Sequence, residues 1–144
     1  MRLITNTAVF ALALVATVAI AADATDPHAK ARQELMDTIG MNMKVLGDMA
    51  GGKAGFDAAA AAKAKTAIVA ASVEIPVKFE TESTDPASKA TPKIWAEFDE
   101  FKEYAGKLNA AATALDVASI EALQAGIGNV GGACKECHTE YKAK

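Results

Sequence analysis

Two cysteines and a histidine form the most chemically distinctive motif of the sequence. The only cysteines are Cys134 and Cys137, and His138 follows them directly. On a helix, residues three positions apart share a face, so both thiols can reach the two vinyl groups of one porphyrin and form thioethers. The imidazole of His138, four residues after Cys134, can then reach the iron. The spacing predicts covalent attachment of one haem c, with His138 as the proximal iron ligand.

The same cysteines also allow other chemistry. They can form a disulfide or a redox-active dithiol, but a CxxC of the thioredoxin type follows a strand and opens a helix. Here the pair lies near the end of a helical pattern. A zinc site would need His28, the only other histidine, which follows Pro27 at a predicted helix start and is expected on the surface. An exported thiol–disulfide protein without haem stays open as an alternative.

Four glycines precede the motif, at positions 126, 128, 131 and 132. Each glycine inside a helix costs up to about 1 kcal/mol relative to alanine, so their presence calls for a reason. Gly131 lies two turns before His138 on the same face, where a missing side chain would let a flat macrocycle approach the backbone. Close helix–helix packing, or a break in the helix, explains the glycines equally well.

A haem held by the last helix must meet a second helix on its other face, and Met36 is the candidate from that side. It lies on the apolar seam of the first predicted helix, and Gly40, one turn later, leaves room for a porphyrin plane. A thioether sulfur opposite a histidine is a known pair of iron ligands and raises the reduction potential. Methionines at helical spacing also serve simply as core residues, and several others lie nearby, at positions 41, 43 and 49.

Four apolar seams that step by three and four residues predict the helices that must position these groups. The seams cover residues 36–50, 61–75, 94–115 and 120–141. We find no alternating pattern typical of strands. The sequence therefore predicts an all-α protein, an antiparallel four-helix bundle with the haem near the C-terminus.

Capping residues predict where these helices begin. Ser, Thr, Asp and Asn are favoured at the N-cap, and proline is favoured at the first helical position. The candidate N-caps are Asp26 before Pro27, Asp57, Thr91 before Pro92, and Asp116.

Glycine and proline predict the helix ends. The glycine pair at 51–52 should end the first helix. Pro76 should end or kink the second helix near residues 74–75, because proline disfavours helical geometry in the residue before it. Residues 80–90 are expected to form the longest loop, and residues 22–25 are expected to be disordered.

The first 21 residues are predicted to be a secretory signal peptide. Arg2 is followed by an apolar run over residues 9–20, and Ala19-Ile20-Ala21 fits a small-x-small cleavage site. Cleavage after Ala21 or Ala22 would leave one domain over residues 22–144. The run is short for a membrane span, which needs about 20 residues, although an uncleaved anchor is the alternative. In a bacterial host the destination would be the periplasm.

Charge and composition narrow the function further. The 144 residues carry 15 basic and 18 acidic side chains, a net charge of −3, which is the wrong sign for a nucleic-acid surface and weakly favours a basic partner. Alanine accounts for 34 residues and aromatic residues for only eight, so the side chains alone make a thin core. A haem would occupy much of the missing interior, and the bundle is expected to be loose without it.

Three segments together resemble one family. They are Arg32-Gln33-Glu34-Leu35-Met36, Pro92-Lys93-Ile94-Trp95, and Cys134-Lys135-Glu136-Cys137-His138 with Tyr141 behind it. In this order they resemble the class II c-type cytochromes, the cytochrome c prime family with its low-spin, Met-ligated subgroup. The resemblance covers essentially the whole mature chain and implies a four-helix bundle with its haem near the C-terminus.

The resemblance also implies two possible functions. In low-spin members a methionine at the position of Met36 binds iron, and these proteins are taken as electron carriers. In cytochrome c prime the iron is usually five-coordinate and binds nitric oxide or carbon monoxide. The segment around Met36 is more similar to the Met-ligated branch. This favours a periplasmic one-electron carrier that is not an enzyme, with the five-coordinate gas-binding protein as the alternative.

Further expectations follow from the same resemblance. Arg32, one turn before Met36, is expected near a haem propionate, and a solvated helix charge is the alternative. Many relatives have an arginine where this chain has Lys142. The lysine keeps a positive charge near the proximal face of the haem but lacks the planar guanidinium of arginine. Relatives often dimerise through their first two helices, so a homodimer is possible. Beyond unknown redox proteins, we expect no nucleic-acid partner and no membrane contact after cleavage.

Overall fold

The computed structural model describes residues 23–144, so the predicted signal peptide and Ala22 lie outside the described residues. Five helices are present in this part of the chain: α1 (Pro27–Ala50), α2 (Ala58–Phe79), α3 (Lys93–Ala96), α4 (Phe98–Ala114) and α5 (Ile120–Tyr141). Among the long helices, α1 contacts α2 and α5, and α4 contacts the same two. This arrangement confirms the predicted four-helix bundle, whose third helix is preceded by the short α3.

Helix α1 begins and ends where the sequence predicts. The side chain of Asp26 accepts a hydrogen bond from the backbone N–H of Ala29, and Pro27 occupies the first helical position. The helix ends at Ala50, and Gly52 follows with a φ of 71°, a left-handed conformation that glycine adopts at little cost. Both the N-cap and the glycine terminus are confirmed.

Helix α2 corrects one prediction. Asp57 caps it as expected, accepting from the N–H groups of Ala59 and Ala60. Pro76, however, lies inside the helix, which continues to Phe79. Burying Ile75 and Phe79 contributes about 1.5–3 kcal/mol each, which offsets the roughly 3 kcal/mol cost of an interior proline. The predicted end near residues 74–75 was therefore wrong.

The third predicted helix is interrupted at Glu97, which separates α3 from α4 with φ −126° and ψ 42°. Thr91 does not cap α3, so that prediction was wrong. Its hydroxyl donates instead to the backbone carbonyl of Tyr141 at 3.0 Å, and its N–H donates to the same oxygen at 3.0 Å. The Thr91 side chain is thus held by the carbonyl at the end of α5, and Pro92 is the N-cap of α3.

The N-cap of α5 is Ser119 rather than Asp116. The hydroxyl of Ser119 accepts from the N–H of Ala122, and Asp116 accepts from the N–H of Ala118 in the preceding turn. Serine and aspartate are both favoured N-caps, and Ser119 takes this position because α5 begins at Ile120. The Asp116 prediction was therefore wrong by three positions.

Residues 23–25 are tied to the bundle, contrary to the expected disorder. Ala24 is 4% exposed, and its N–H donates to the side-chain carbonyl of Gln33 at 2.9 Å. The 80–90 loop, predicted as the longest connection, does join α2 to α3 and lies beside this segment. Burial and long-range hydrogen bonds therefore order a segment that looks unstructured from its composition.

The core lies between the long helices and is built from the predicted seams. Leu46, Ile68, Leu123 and Val130 are fully buried. An aromatic group fills the end nearest α3, with the ring of Phe101 5.1 Å from Phe79 and 5.3 Å from Tyr141. Within residues 23–144, every helix is too short or too polar to cross a membrane.

Candidate haem site

A cavity of about 660 Å³ opens beside this aromatic group. Its wall comes from α1, the end of α2, the 80–90 loop, α3, α4 and α5. The volume is in the range of protein sites for cofactors, about 300–1,000 Å³. All five residues predicted to contact haem or iron line this one cavity: Arg32, Met36, Cys134, Cys137 and His138.

The two thiols reach the cavity from an unbroken helix. Cys134 and Cys137 are both free and half-buried. Burial raises the pKa of Cys134, and burial with the neighbouring thiol raises the pKa of Cys137 to about 11. Thiol–disulfide chemistry needs a thiolate, and these thiols are protonated at neutral pH. The raised pKa values of both thiols therefore disfavour the thiol–disulfide alternative.

His138 lies at the edge of the cavity, with part of its surface exposed. Desolvation, and then the nearby cation of Lys142, lower the pKa of His138. A lowered pKa favours the neutral imidazole, which is the form that can offer a nitrogen lone pair to a metal. Lys142 thus places a positive charge beside the imidazole, in keeping with the cation expected there.

The end of α5 that carries the motif is clamped to the α3–α4 junction, a feature that sequence reasoning missed. Tyr141 is 3% exposed, and its hydroxyl donates to the carboxylate of Glu97 at 3.4 Å. Lys93 forms ion pairs with Glu97 and Glu140 and lies over the Tyr141 ring. Only the proline-led segment at residues 92–95 signalled in advance that this junction matters.

The four methionines of α1 differ in their position relative to the cavity, a difference that the sequence alone does not predict. Met36 and Met43 line the cavity, Met41 is 63% exposed, and Met49 is buried in the core. Gly40 also lines the cavity, and a Cβ added there would meet no atom within 4 Å. The candidate sulfur ligands are therefore reduced to two, with Met36 one turn from Arg32.

Arg32 is buried, with 3% of its surface exposed, so it is not a solvated helix charge. Its guanidinium donates to the carbonyl of Thr81 at 3.1 Å and the hydroxyl of Ser83 at 2.7 Å. Desolvation lowers its pKa. Its Nε has no hydrogen-bond partner in the protein. A buried cationic N–H without an acceptor, in the wall of a cavity, fits an anionic group of a ligand such as a haem propionate.

The family model described as cytochrome c′ matches residues 28–142. The chain belongs to the cytochrome c′ family. It is 39% identical to cytochrome c-556 of Agrobacterium tumefaciens (strain apple 185) over 120 residues, which cover 79% of this chain and 93% of that protein. It is 36% identical to cytochrome c′ of Rhodopseudomonas palustris (strain CGA009) over 116 residues, covering 78% and 80%.

The fold agrees with this assignment. The structural model of oxidised R. palustris cytochrome c556 superposes with a TM-score of 0.74 at 27% identity, covering 82% of this chain and 97% of that one. Members of the cytochrome c′ family carry a covalently attached c-type haem. Haem c as cofactor and the resemblance to class II cytochromes are therefore confirmed.

One of the four glycines before the motif of this cytochrome, Gly126, has an explanation in packing within the protein. Helix α5 is continuous, so the glycines do not mark a break. A Cβ added at Gly126 would lie 2.8 Å from a methyl group of Leu115, so a larger residue at this position would require the Leu115 side chain to move. Gly131 does not line the cavity, and a Cβ there would meet nothing within 4 Å. The close contact of Gly126 is thus between α5 and Leu115 at the end of α4.

His28 plays no part in the cavity. It is exposed in the first turn of α1, as the sequence predicts. Within residues 23–144, no group of three or more His, Cys, Asp or Glu side chains is arranged to hold a metal ion. The zinc alternative therefore has no site in the described part of this cytochrome.

Proposed function

We propose that this member of the cytochrome c′ family is a periplasmic one-electron carrier and not an enzyme, with Met36 as the distal iron ligand. The main support is that Met36 on α1 and His138 on α5 line the same cavity. Haem c, when bound, supplies the Fe(II)/Fe(III) couple. The task of the protein is then to hold the group and keep its coordination unchanged between the two states.

Each residue of the site has a distinct role in this proposal. The thiols of Cys134 and Cys137 anchor the ring covalently, which prevents loss of the cofactor from an exported protein. The imidazole of His138 and the thioether of Met36 are neutral donors. Because both can bind either oxidation state, electron transfer requires no exchange of ligands.

Arg32 is assigned to a haem propionate. The support is its burial, its place among the residues that line the cavity, and an Nε without a partner in the protein. Its terminal nitrogens already bind the 80–90 loop, so the guanidinium is held in place before an anion arrives. A charge-assisted hydrogen bond to a carboxylate would satisfy the remaining donor.

The alternative is a five-coordinate protein that binds nitric oxide or carbon monoxide. The family includes relatives named cytochrome c′ and cytochrome c-556 at similar identity. The half-buried state of Met36 leaves space on its side of the cavity. In this alternative Met36 lines the cavity without binding iron, and the distal coordination position stays open.

An absorption spectrum of the reduced protein, with and without carbon monoxide, tests the choice. A low-spin spectrum that ignores carbon monoxide is expected, and Met36→Ala should become high-spin and bind the gas. Met43→Ala is the matched control, because Met43 lines the same cavity but should leave the spectrum unchanged. A high-spin wild-type spectrum that shifts with carbon monoxide would instead support the gas-binding alternative.

Export and self-association complete the proposal. Residues 1–21 act as a signal peptide, and cleavage after Ala21 or Ala22 leaves the domain over residues 22–144; the mass of the exported protein tests this. Dimeric structures occur among homologues. Exposed apolar side chains on α1 and α2 support a homodimer through these helices: Met41, Val45, Val73 and Val77.

A further inference from the structure

Within residues 23–144, the carboxylate of Asp85 in the 80–90 loop accepts more hydrogen bonds than the side chain of any helix cap. One oxygen of its carboxylate accepts from the N–H of Thr25 at 2.8 Å, the hydroxyl of Thr25 at 3.1 Å and the N–H of Asp26 at 2.9 Å. Its other oxygen accepts from the N–H of Ala87 at 2.8 Å. A single side chain therefore fastens residues 23–26, the N-terminal segment, to the 80–90 loop.

Gln33 on α1 ties the same two segments a second time. Its side-chain carbonyl accepts from the N–H of Ala24 at 2.9 Å, and its amide donates to the carbonyl of Ala87 at 3.1 Å. The methyl group of Ala24 is buried beneath this arrangement. We call the N-terminal segment and the 80–90 loop, joined through Asp85 and Gln33, the clasp.

The clasp forms part of the cavity wall. Asp23 from the N-terminal segment and Ala87 and Ser88 from the loop line the cavity. Through Gln33 the clasp is attached to α1 one turn before Met36, so this part of it lies on the side of the cavity that offers the distal ligand. The far end of the loop is held beside the end of α5, where the N–H of Ala143 donates to the carbonyl of Lys89.

We propose that Asp85 is a positioning residue that keeps the clasp closed and thereby restricts the entry of small neutral ligands to the distal side of the haem. The proposal rests on the proposed haem site, but not on the electron-transfer role. Asp85 does not line the cavity, so it acts through the segments that it joins.

The energetics allow the clasp to open while the bundle stays folded. The hydrogen bonds at Asp85 and Gln33 join segments outside the helices, and each contributes modestly to closure. Ala24 is the one buried apolar side chain of the N-terminal segment. Segments with few buried apolar contacts open locally at much lower free energy than the whole domain. Removing the carboxylate should therefore raise the open fraction without unfolding the protein.

The test measures the rate of carbon monoxide binding to the reduced, haem-loaded protein. It is made in a Met36→Ala background, where the distal position is open whether or not Met36 binds iron in the wild type. Asp85→Ala should bind the gas roughly tenfold faster than the background, which corresponds to about 1.4 kcal/mol of closure. Electron transfer does not enter the measurement, so its outcome is independent of the carrier role.

Asp57→Ala is the matched control. Its carboxylate also accepts backbone hydrogen bonds, from Ala59 and Ala60, but it caps α2 and does not line the cavity. This variant should lose some stability and keep the background rate. Equal rates for the Asp85 and Asp57 variants would overturn the proposal.

A second variant and a second measurement separate opening of the clasp from a general loss of stability. Gln33→Ala breaks the other tie and should also speed gas binding. Because Gln33 itself lines the cavity, a faster rate in this variant supports the proposal only together with faster amide exchange at the clasp. Hydrogen exchange at the amides of Ala24, Thr25 and Asp26 reports opening of the clasp independently of iron. Faster exchange with an unchanged binding rate would show that the clasp is only structural and would also overturn the proposal.

Discussion

The backbone carbonyl of Tyr141 accepts two hydrogen bonds from Thr91, one from its N–H and one from its hydroxyl, each at 3.0 Å. These residues are 50 positions apart, and their contact joins the end of the haem-attachment helix to the start of α3. Beside it, the N–H of Ala143 donates to the carbonyl of Lys89 at 2.8 Å. The last turn of α5 is thus held from outside its own helix.

Thr91→Val should weaken this connection. The variant keeps the shape of the side chain but removes the hydroxyl donor, so it is expected to lose about 0.5–1.5 kcal/mol of the free energy of unfolding. Chemical denaturation of the haem-loaded protein measures the loss. Thr113→Val, at an exposed position of α4, is the control and should stay within about 0.5 kcal/mol of wild type. Equal stability of the two variants would contradict the role of the Thr91 hydroxyl.

Arg32→Met should lower the reduction potential of the haem. The variant keeps an apolar stem but removes a buried cation from the cavity wall, and a nearby cation disfavours the more positive ferric state. Voltammetry of the purified protein measures the shift. Lys30→Met removes an exposed cation from the same helix and should leave the potential nearly unchanged. A potential that does not move in Arg32→Met would place the guanidinium away from the haem.

The protein without haem should lose fixed tertiary packing. The cavity of about 660 Å³ is lined largely by apolar side chains, which haem would cover and which water would reach in its absence. The Cys134→Ala/Cys137→Ala double variant, purified without haem, should therefore be compact but loose, with weak near-ultraviolet circular dichroism. Cys134→Ala alone keeps one thioether and serves as the control. A rigid double variant would show that side chains suffice to fill the core.

Acid should release the clasp before it unfolds the bundle. Backbone donors, first those of Asp26 and Ala87, hold the pKa of Asp85 at about 2, below its ordinary 3.8. Because the folded pKa is depressed, this contribution to stability is complete above about pH 4 and is lost as the pH falls towards 2. Hydrogen exchange at Thr25 and Asp26, followed from pH 5 to pH 2, should show the loss. Asp85→Asn should lack this pH dependence. If wild type and Asp85→Asn give the same exchange profile over this pH range, the carboxylate of Asp85 does not control the release.

Self-association should depend on the exposed valines of α2. Val73 and Val77 are 59% and 60% exposed and lie one turn apart. Replacing both by glutamate should convert a dimer into a monomer in sedimentation experiments, because a charge in an apolar interface is costly to desolvate. Ala114→Glu, at an exposed site at the end of α4 and outside α1 and α2, should leave the dimer intact. A dimer that survives the double valine variant must use another surface.

Much of this protein follows from short-range information. The spacing of Cys134, Cys137 and His138 places them on one face of any helix, and the apolar seams follow the same helical period. The caps at Asp26 and Asp57 involve hydrogen bonds across two or three residues, so the local sequence specifies them. The all-α bundle and the haem c cofactor could therefore be recognised without coordinates.

The remaining features depend on groups that are distant in the chain. Thr91 could cap a helix, but its hydroxyl binds the carbonyl of Tyr141, 50 residues away, and Pro92 is the N-cap of α3. Arg32 is buried because distant segments surround its guanidinium: the 80–90 loop supplies carbonyl and hydroxyl acceptors, and the rings of Phe79 and Trp95 lie 5.5 and 5.4 Å from it. Residues 23–25 are ordered only because Asp85 and Gln33 lie beside them. The sequence by itself determined the helices and the haem attachment motif, because both depend on helical spacing. Only the tertiary structure decided which polar groups meet and which methionines reach the cavity, because those outcomes depend on competition between distant partners.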